Sequence, residues 1–300
     1  MFRVSPRRWP ALALALLVAA GPLGGCSEEV PAAGGLAESY TLWGAFDPTA
    51  DVQRVRVVPI TPTITLGDAA PLDVTVTSTD LATGTETAWR DSVVTFDNGA
   101  IGHVYQAALR PAYGSRHVFQ VRSAEGAEVR AVVPVPPRVE PYRQRTVATS
   151  VSGLVYPVLW VDAPRLNRVR ARFVVIDADC ALHTVEQEVA PVTSGPVEFG
   201  WLVNLTLRLE LEGELTRLLN ESAGRGVALR QISLTAEVAS EDWRPPGGIF
   251  DPEVLVEPGL LSNVDGGFGF IGAAYPTTIT WTPTLDDLRV TPFRATVPGC

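Results

Sequence analysis

Between residues 40 and 135 apolar and polar positions alternate with a period of two, in short runs cut by Gly, Pro, Asp and Asn. The runs are YTLWGAF (40–46), VQRVRVV (52–58), LDVTVTS (72–78), ETAWRDSV (86–93), HVYQAAL (103–109), HVFQVRS (117–123) and EVRAVVPV (128–135). Alternation of this kind puts successive side chains on opposite faces of a strand, and β-branched and aromatic residues suit a half-buried pleated surface. Seven such runs in about 100 residues predict an antiparallel sandwich, immunoglobulin-like or fibronectin-like. LRPAYGSR (109–116) and SAEGAE (123–128) read as tight hairpin connections.

The pattern breaks at PVPPRVEPY (134–142), where four prolines exclude a helix and favour an extended connector. The expected organisation is a sandwich over 40–137, a connector over 138–142 and a second β-rich domain over 143–300. In that second block, RVRARFVVID (168–177) alternates Arg168, Arg170 and Arg172 against Val169, Ala171 and Phe173, so the arginines line one face of a strand. That face reads either as a stripe for an acidic ligand or as an ordinary solvated surface. NLTLRLELE (204–212) is a strand running into one short helix in ELTRLLNESAG (214–224), where Leu215, Leu218 and Leu219 have helical spacing before a glycine stop. VALRQISLTAEVA (227–239) and TTITWTP (277–283) read as further strands. The fold class is therefore mainly β.

The first 25 residues have a different grammar. Arg3, Arg7 and Arg8 precede an apolar run, ALALALLVAA (11–20), too short to span a bilayer, and LGGC (23–26) follows. This is a secretory signal, and LGGC resembles the bacterial lipobox, which implies cleavage before Cys26 and lipid attachment to its sulfur. Residues 26–39, CSEEVPAAGGLAES, are small and polar and read as a flexible linker. Ser27-Glu28-Glu29 resembles an acidic surface-export signal and reads equally well as solvated linker. The expected location is the outer membrane, lipid-anchored, facing the periplasm or the cell surface.

Composition narrows the chemistry. The 24 basic residues are all arginine, which excludes the lysine of a P-loop, a kinase, a pyridoxal Schiff base or an S-x-x-K hydrolase. Formal net charge is −9, and removing residues 1–25 with their three arginines and no acids makes it −12. Such a chain, without a basic run, is a poor partner for nucleic acid. With Cys26 lipidated, Cys180 and Cys300 remain as a pair in an oxidising compartment and are expected to be bonded.

Three motifs offer chemistry and fail on context. Gly267, Gly269 and Gly272 spell G-x-G-x-x-G, but the following AAYPTTITWTPT (273–284) carries prolines and threonines where a nucleotide-binding helix must open. Asp177, Asp179 and Glu188 stand at positions 1, 3 and 12 of a calcium loop, whereas Ala181 and Leu182 occupy positions needing a ligand and a glycine. His103 and His117, placed at opposite ends of a hairpin, cannot share a metal, and His183 is the third and last histidine. No cofactor is expected.

Three segments together resemble an uncharacterised family of Bacteroidota-type lipoproteins: the short-strand block ending in AVVPVPPRV (131–139), IFDPEVLVEPGLLSNV (249–264) and the GGFGFIG that follows. The resemblance implies work beside a TonB-dependent outer-membrane transporter or another surface lipoprotein, and it assigns no catalytic or binding residue. The expected function is a non-enzymatic binding or accessory module, with Tyr113, Trp89 and Trp243 as exposed aromatic candidates. The competing reading is an extracellular hydrolase of glycosidase type, which requires two carboxylates in one cleft.

Overall fold

The computed structural model describes residues 40–60, 69–97, 99–149, 153–189, 194–207, 214–222, 226–243 and 262–300. The leader over 1–25, the linker over 26–39 with Cys26, and most of the run 249–264 lie outside the described residues.

Eighteen strands occur among them. In chain order they are β1 (Tyr40–Phe46), β2 (Val52–Pro59), β3 (Val74–Asp80), β4 (Glu86–Ala88), β5 (Arg90–Thr95), β6 (Ile101–Ala108), β7 (Arg116–Ser123), β8 (Glu128–Pro134) and β9 (Pro141–Arg143). Then follow β10 (Val147–Thr149), β11 (Gly153–Val161), β12 (Arg165–Ile176), β13 (Leu182–Glu188), β14 (Ser194–Val197), β15 (Gly200–Leu207), β16 (Ala228–Ala239), β17 (Val264–Asp265) and β18 (Phe268–Trp281). The expected short helix is α1 (Glu214–Glu221), and α2 (Leu285–Arg289) adds a second, opened by a reciprocal cap between Thr284 and Asp287.

The strands form three sheets. One has eight strands in the order β13-β12-β16-β18-β1-β2-β6-β5. A second runs β17-β8-β7-β3-β4, and a third β10-β11-β15-β14 with β9 also on β11. Pairing is antiparallel except between β1 and β18, which run parallel with Thr41 to Phe46 opposite Phe268 to Ala273. β18 then continues antiparallel to β16, with Ala274 to Trp281 opposite Ala239 to Ile232. A single 14-residue strand thus joins both halves into one sheet.

Two apolar cores lie against the inner face of that sheet. One collects Leu42, Phe46, Val55, Phe119, Val121, Val129 and Val133, and the other Tyr156, Val158, Trp160, Phe173, Ile232, Leu234 and Leu215. β18 supplies Ile271 and Ala273 to the first and Tyr275 and Trp281 to the second. Removing each such aliphatic or aromatic side chain from water contributes about 1.5–3 kcal/mol. All described residues belong to one compact unit.

The connector is pinned rather than loose. The Tyr275 hydroxyl donates to the Pro137 carbonyl at 2.7 Å and accepts from the Val139 N–H at 2.7 Å. Burial pushes the Tyr275 phenol up to about 12.

Two local expectations are corrected. LRPAYGSR is not a hairpin: it carries the chain from β6 in the eight-stranded sheet to β7 in the opposite one. Its start is held by Gln53, whose Nε2 donates to the Leu109 carbonyl, and its end by the Val135 N–H, which donates to the Ser115 carbonyl. ETAWRDSV is two strands, because the chain changes sheets between β4 and β5. Trp89 is the corner between them, stacked on Phe46 at 5.6 Å, edge-on to Phe119 at 5.0 Å and donating to Ser78 Oγ at 2.9 Å. SAEGAE does make the expected hairpin between β7 and β8.

Candidate functional site

On the face of the eight-stranded sheet opposite the cores, where β1, β18 and β16 run side by side, lies a cleft of about 480 Å³. Its floor is low because the outward positions there are small: Ala45 on β1 pairs with Gly272 on β18, and Ala274 follows on the same face. A Cβ on Gly272 would stand 2.6 Å from both the Phe270 and Trp243 rings, so the glycine is what lets these rings sit over the strand. Trp43 and Phe270 are direct cross-strand neighbours, and Trp43 remains 39% exposed. Trp243 is placed by a turn after β16, in which the Ser240 N–H donates to the Ala273 carbonyl and the Trp243 N–H to the Ser240 carbonyl. Its ring meets Phe270 edge-on, centroids 5.9 Å apart.

The polar side of the cleft comes from β12, β16 and the end of β1. A bulge between Asn167 and Arg170 interrupts the pairing of β12 with β16, and Arg168 within it has φ 45°. The Arg168 guanidinium lies 3.7 Å from Glu237 Oε1, while Asn167 Nδ2 donates to Glu237 Oε2 at 3.0 Å. Asp47 also lines the cleft, its Oδ1 accepting from the Thr49 N–H at 2.7 Å and the Thr49 hydroxyl at 2.6 Å. The buried Trp243 Nε1–H has no hydrogen-bond partner among the described residues. The site therefore offers aromatic surface, one guanidinium and two carboxylates.

Sequence reasoning reached part of this site. Trp243 lines it, but buried rather than exposed, and Trp89 is a core residue at 6% exposure. Tyr113 is exposed at 38% and packs edge-on against Tyr275. Trp43, Phe270 and Glu237 were not singled out, since each follows the ordinary alternation of its strand and only tertiary pairing brings them together. Arg168, Arg170 and Arg172 do share an exposed face, opposite buried Ala171 and Phe173, and only Arg168 reaches the cleft. Arg170 and Arg172 stand across from Glu188 and Glu186 of β13.

The remaining motifs have structural duties. Gly267 and Gly269 accommodate close backbone approach to β1 at the carbonyls of Tyr40 and Leu42, and a 14-residue strand occupies the place a nucleotide-binding helix would need. Asp177 caps its own turn, accepting from the N–H groups of Asp179 and Ala181 at 2.9 Å and bonding His183 Nε2 at 2.7 Å. The His183 contact, then these backbone donors, hold its carboxyl below the usual range. His103 bonds Asp91 at 2.7 Å in one sheet, and His117 bonds Ser115 at 3.0 Å in the other. No group of three metal-ligating side chains occurs among the described residues. Cys180 and Cys300 are paired as a disulfide with Cα atoms 5.5 Å apart, within the span such a bond requires.

No family model matches the chain, and no curated protein matches it. Among solved structures it is similar to a tetra-tandem repeat in the extending region of a large adhesion protein, at 11% identity and TM-score 0.21, covering 86% of this chain. The chain spans 50% of the length of that adhesion-protein structure. It is also similar to bovine butyrophilin, at 10% identity and TM-score 0.20, covering 82% of this chain and 99% of that one. At such TM-scores neither likeness carries an argument about function. No helix among the described residues is long and apolar enough to cross a membrane.

Proposed function

We propose that this chain is a lipid-anchored binding module of the outer membrane that takes a small ligand in the aromatic cleft and does no chemistry on it. The observation that carries the reading is the cleft itself: Trp43 and Phe270 on paired strands and Trp243 on the turn after β16, gathered beside the small residues Ala45 and Ala274. Ligand sites of this size are mostly apolar with a few placed polar groups, and sites on strands hold their geometry with little ordering cost. The anchor rests on LGGC and Cys26, and the place beside a TonB-dependent transporter or another surface lipoprotein on the sequence resemblance. A leash of 14 residues in the flexible regime reaches about 20 Å, which keeps the module near membrane partners at high effective concentration.

The hydrolase reading has one observation in its favour, since Asp47 and Glu237 line the same cleft. Both carboxylates are already engaged, Asp47 with Thr49 and Glu237 with Asn167 and Arg168. Binding without turnover is the better account.

Two measurements test the proposal. Cys26→Ser should move the protein from the membrane to the soluble fraction, and retention in the membrane would remove the anchor. A thermal-shift screen of small polar molecules against the mature chain should find compounds that raise the melting temperature of the native protein and not of Trp43→Ala. A compound consumed in a reaction abolished by Glu237→Gln or Asp47→Asn would establish the hydrolase instead.

A further inference from the structure

From the donors and acceptors facing the aromatic cleft, we infer that its ligand is a neutral saccharide, bound with one pyranose ring against Trp43; this rests on the cleft being a ligand site, as proposed above. Three classes of small ligand suit aromatic walls: a sugar ring, a quaternary ammonium and an acidic ring compound. The polar groups separate them.

An anionic ligand meets one guanidinium, Arg168, against two carboxylates, Glu237 and Asp47, so its charge has more repulsion than attraction to face. A quaternary ammonium gains from the ring faces but has no hydrogen-bonding atom. The two carboxylates would attract it, but it could not answer the donors of Arg168 and would stand beside that cation. A hydroxylated ring answers each group. Hydroxyls both donate and accept, so one can accept from Arg168 while others donate to Glu237 or Asp47. The 3.7 Å separation of Arg168 and Glu237 is longer than a hydrogen bond, and adjacent hydroxyls can accept from the guanidinium and donate to the carboxylate at once. The apolar face of the ring then lies on Trp43, which is exposed at 39% and stands next to Phe270 across the strand pair. The cleft is also open along the sheet. Beyond it on the same face the Thr235 and Thr278 hydroxyls bond each other at 2.8 Å, and those of Ser233 and Thr280 at 2.9 Å, a hydroxyl ladder along which a longer chain of sugars can continue.

The test is titration of the mature, disulfide-bonded protein with cellohexaose, xylohexaose, mannohexaose and maltohexaose, and separately with choline chloride and trigalacturonate, followed by tryptophan fluorescence and calorimetry. At least one neutral hexaose should bind and shift the emission. Trp43→Ala and Glu237→Gln, both at partly exposed positions, should each weaken that binding about tenfold or more with an unchanged circular dichroism spectrum. Hexaose binding indifferent to both substitutions would overturn the placement. Binding of choline or trigalacturonate that depends on Trp43, with no hexaose bound, would overturn the saccharide class and leave the cleft a ligand site. If none of these probes binds in a Trp43-dependent way while the thermal-shift screen does find Trp43-dependent compounds of another class, the saccharide inference fails alone. If the screen is also blank, both fall.

Discussion

Tyr275 shows how much a single hydroxyl can organise. Its oxygen accepts from the buried Val139 N–H and donates to the Pro137 carbonyl, so it satisfies a connector that has no strand partner of its own there. Tyr275→Phe leaves that N–H without an acceptor, and the expected cost is about 1–3 kcal/mol, read as a lower urea midpoint at unchanged m-value. His117 is the residue whose protonation the fold resists. Burial lowers its pKa from the ordinary 6.5, against the pull of Asp80, so the folded chain binds fewer protons than the unfolded chain between the lowered value and 6.5. Stability from this group is therefore present above 6.5 and is lost as pH falls through that window. Denaturation midpoints measured from about pH 7.5 down to about pH 5 should fall for the native protein, and the slope should flatten in His117→Gln. An unchanged slope in the variant would show that another group controls the acid limb. Neither role could be read from sequence, because His117 and Tyr275 sit in strands whose alternation fixes inward or outward direction but not the neighbour across the core.

At the scale of the element, β18 carries most of what is distinctive here. It begins at the glycine-rich motif, pairs parallel with β1, then antiparallel with β16, and lends residues to both cores. Gly269 has φ 101°, and a Cβ there would meet the Leu42 carbonyl oxygen. Gly269→Ala should cost on the order of 3 kcal/mol, since it adds backbone strain to a collision with the partner strand. Gly126, in the β7–β8 hairpin, has φ 94° and open space around its Cβ position, so Gly126→Ala should cost only about 1–2 kcal/mol. The difference between the two, measured by chemical denaturation, isolates the close approach of β1 and β18; equal costs would remove that explanation. Most of the strands in the first block were legible, because HVFQVRS and EVRAVVPV bury alternate residues as their pattern requires. ETAWRDSV was not, since a strand that turns a corner at a buried tryptophan keeps the same local alphabet as one that runs straight.

Across the whole molecule, the C-terminal tail is tied back twice. Arg294 exchanges backbone hydrogen bonds with Val227 and Leu229, and Cys300 pairs with Cys180 in the turn between β12 and β13. Closing 120 residues stabilises by up to about 4–5 kcal/mol when the unfolded chain is the state constrained. Thiol labelling of the denatured, unreduced mature protein should find no free thiol with Cys26 lipidated, and Cys300→Ser should expose one and lower the unfolding midpoint. Two reactive thiols in the native protein would refute the bond.

The fold class, the Cys180–Cys300 pairing and the outward arginines of β12 follow from sequence alone, because each depends on a local property: period-two alternation, a count of cysteines, or residues two apart on one strand. The leader and Cys26 belong to the same kind of reading. The eight-stranded sheet and the cleft do not. They depend on which strands become neighbours, and nothing local in FGFIGAAYPTTITW says that its first half will lie beside YTLWGAF and its second beside ISLTAEVA. Only that pairing sets Trp43 next to Phe270, leaves Ala45 and Ala274 as a floor, and brings Glu237 from β16 to the same surface. Strand alternation specifies a face, whereas a binding site is specified by register between segments more than 200 residues apart, and register is a tertiary quantity.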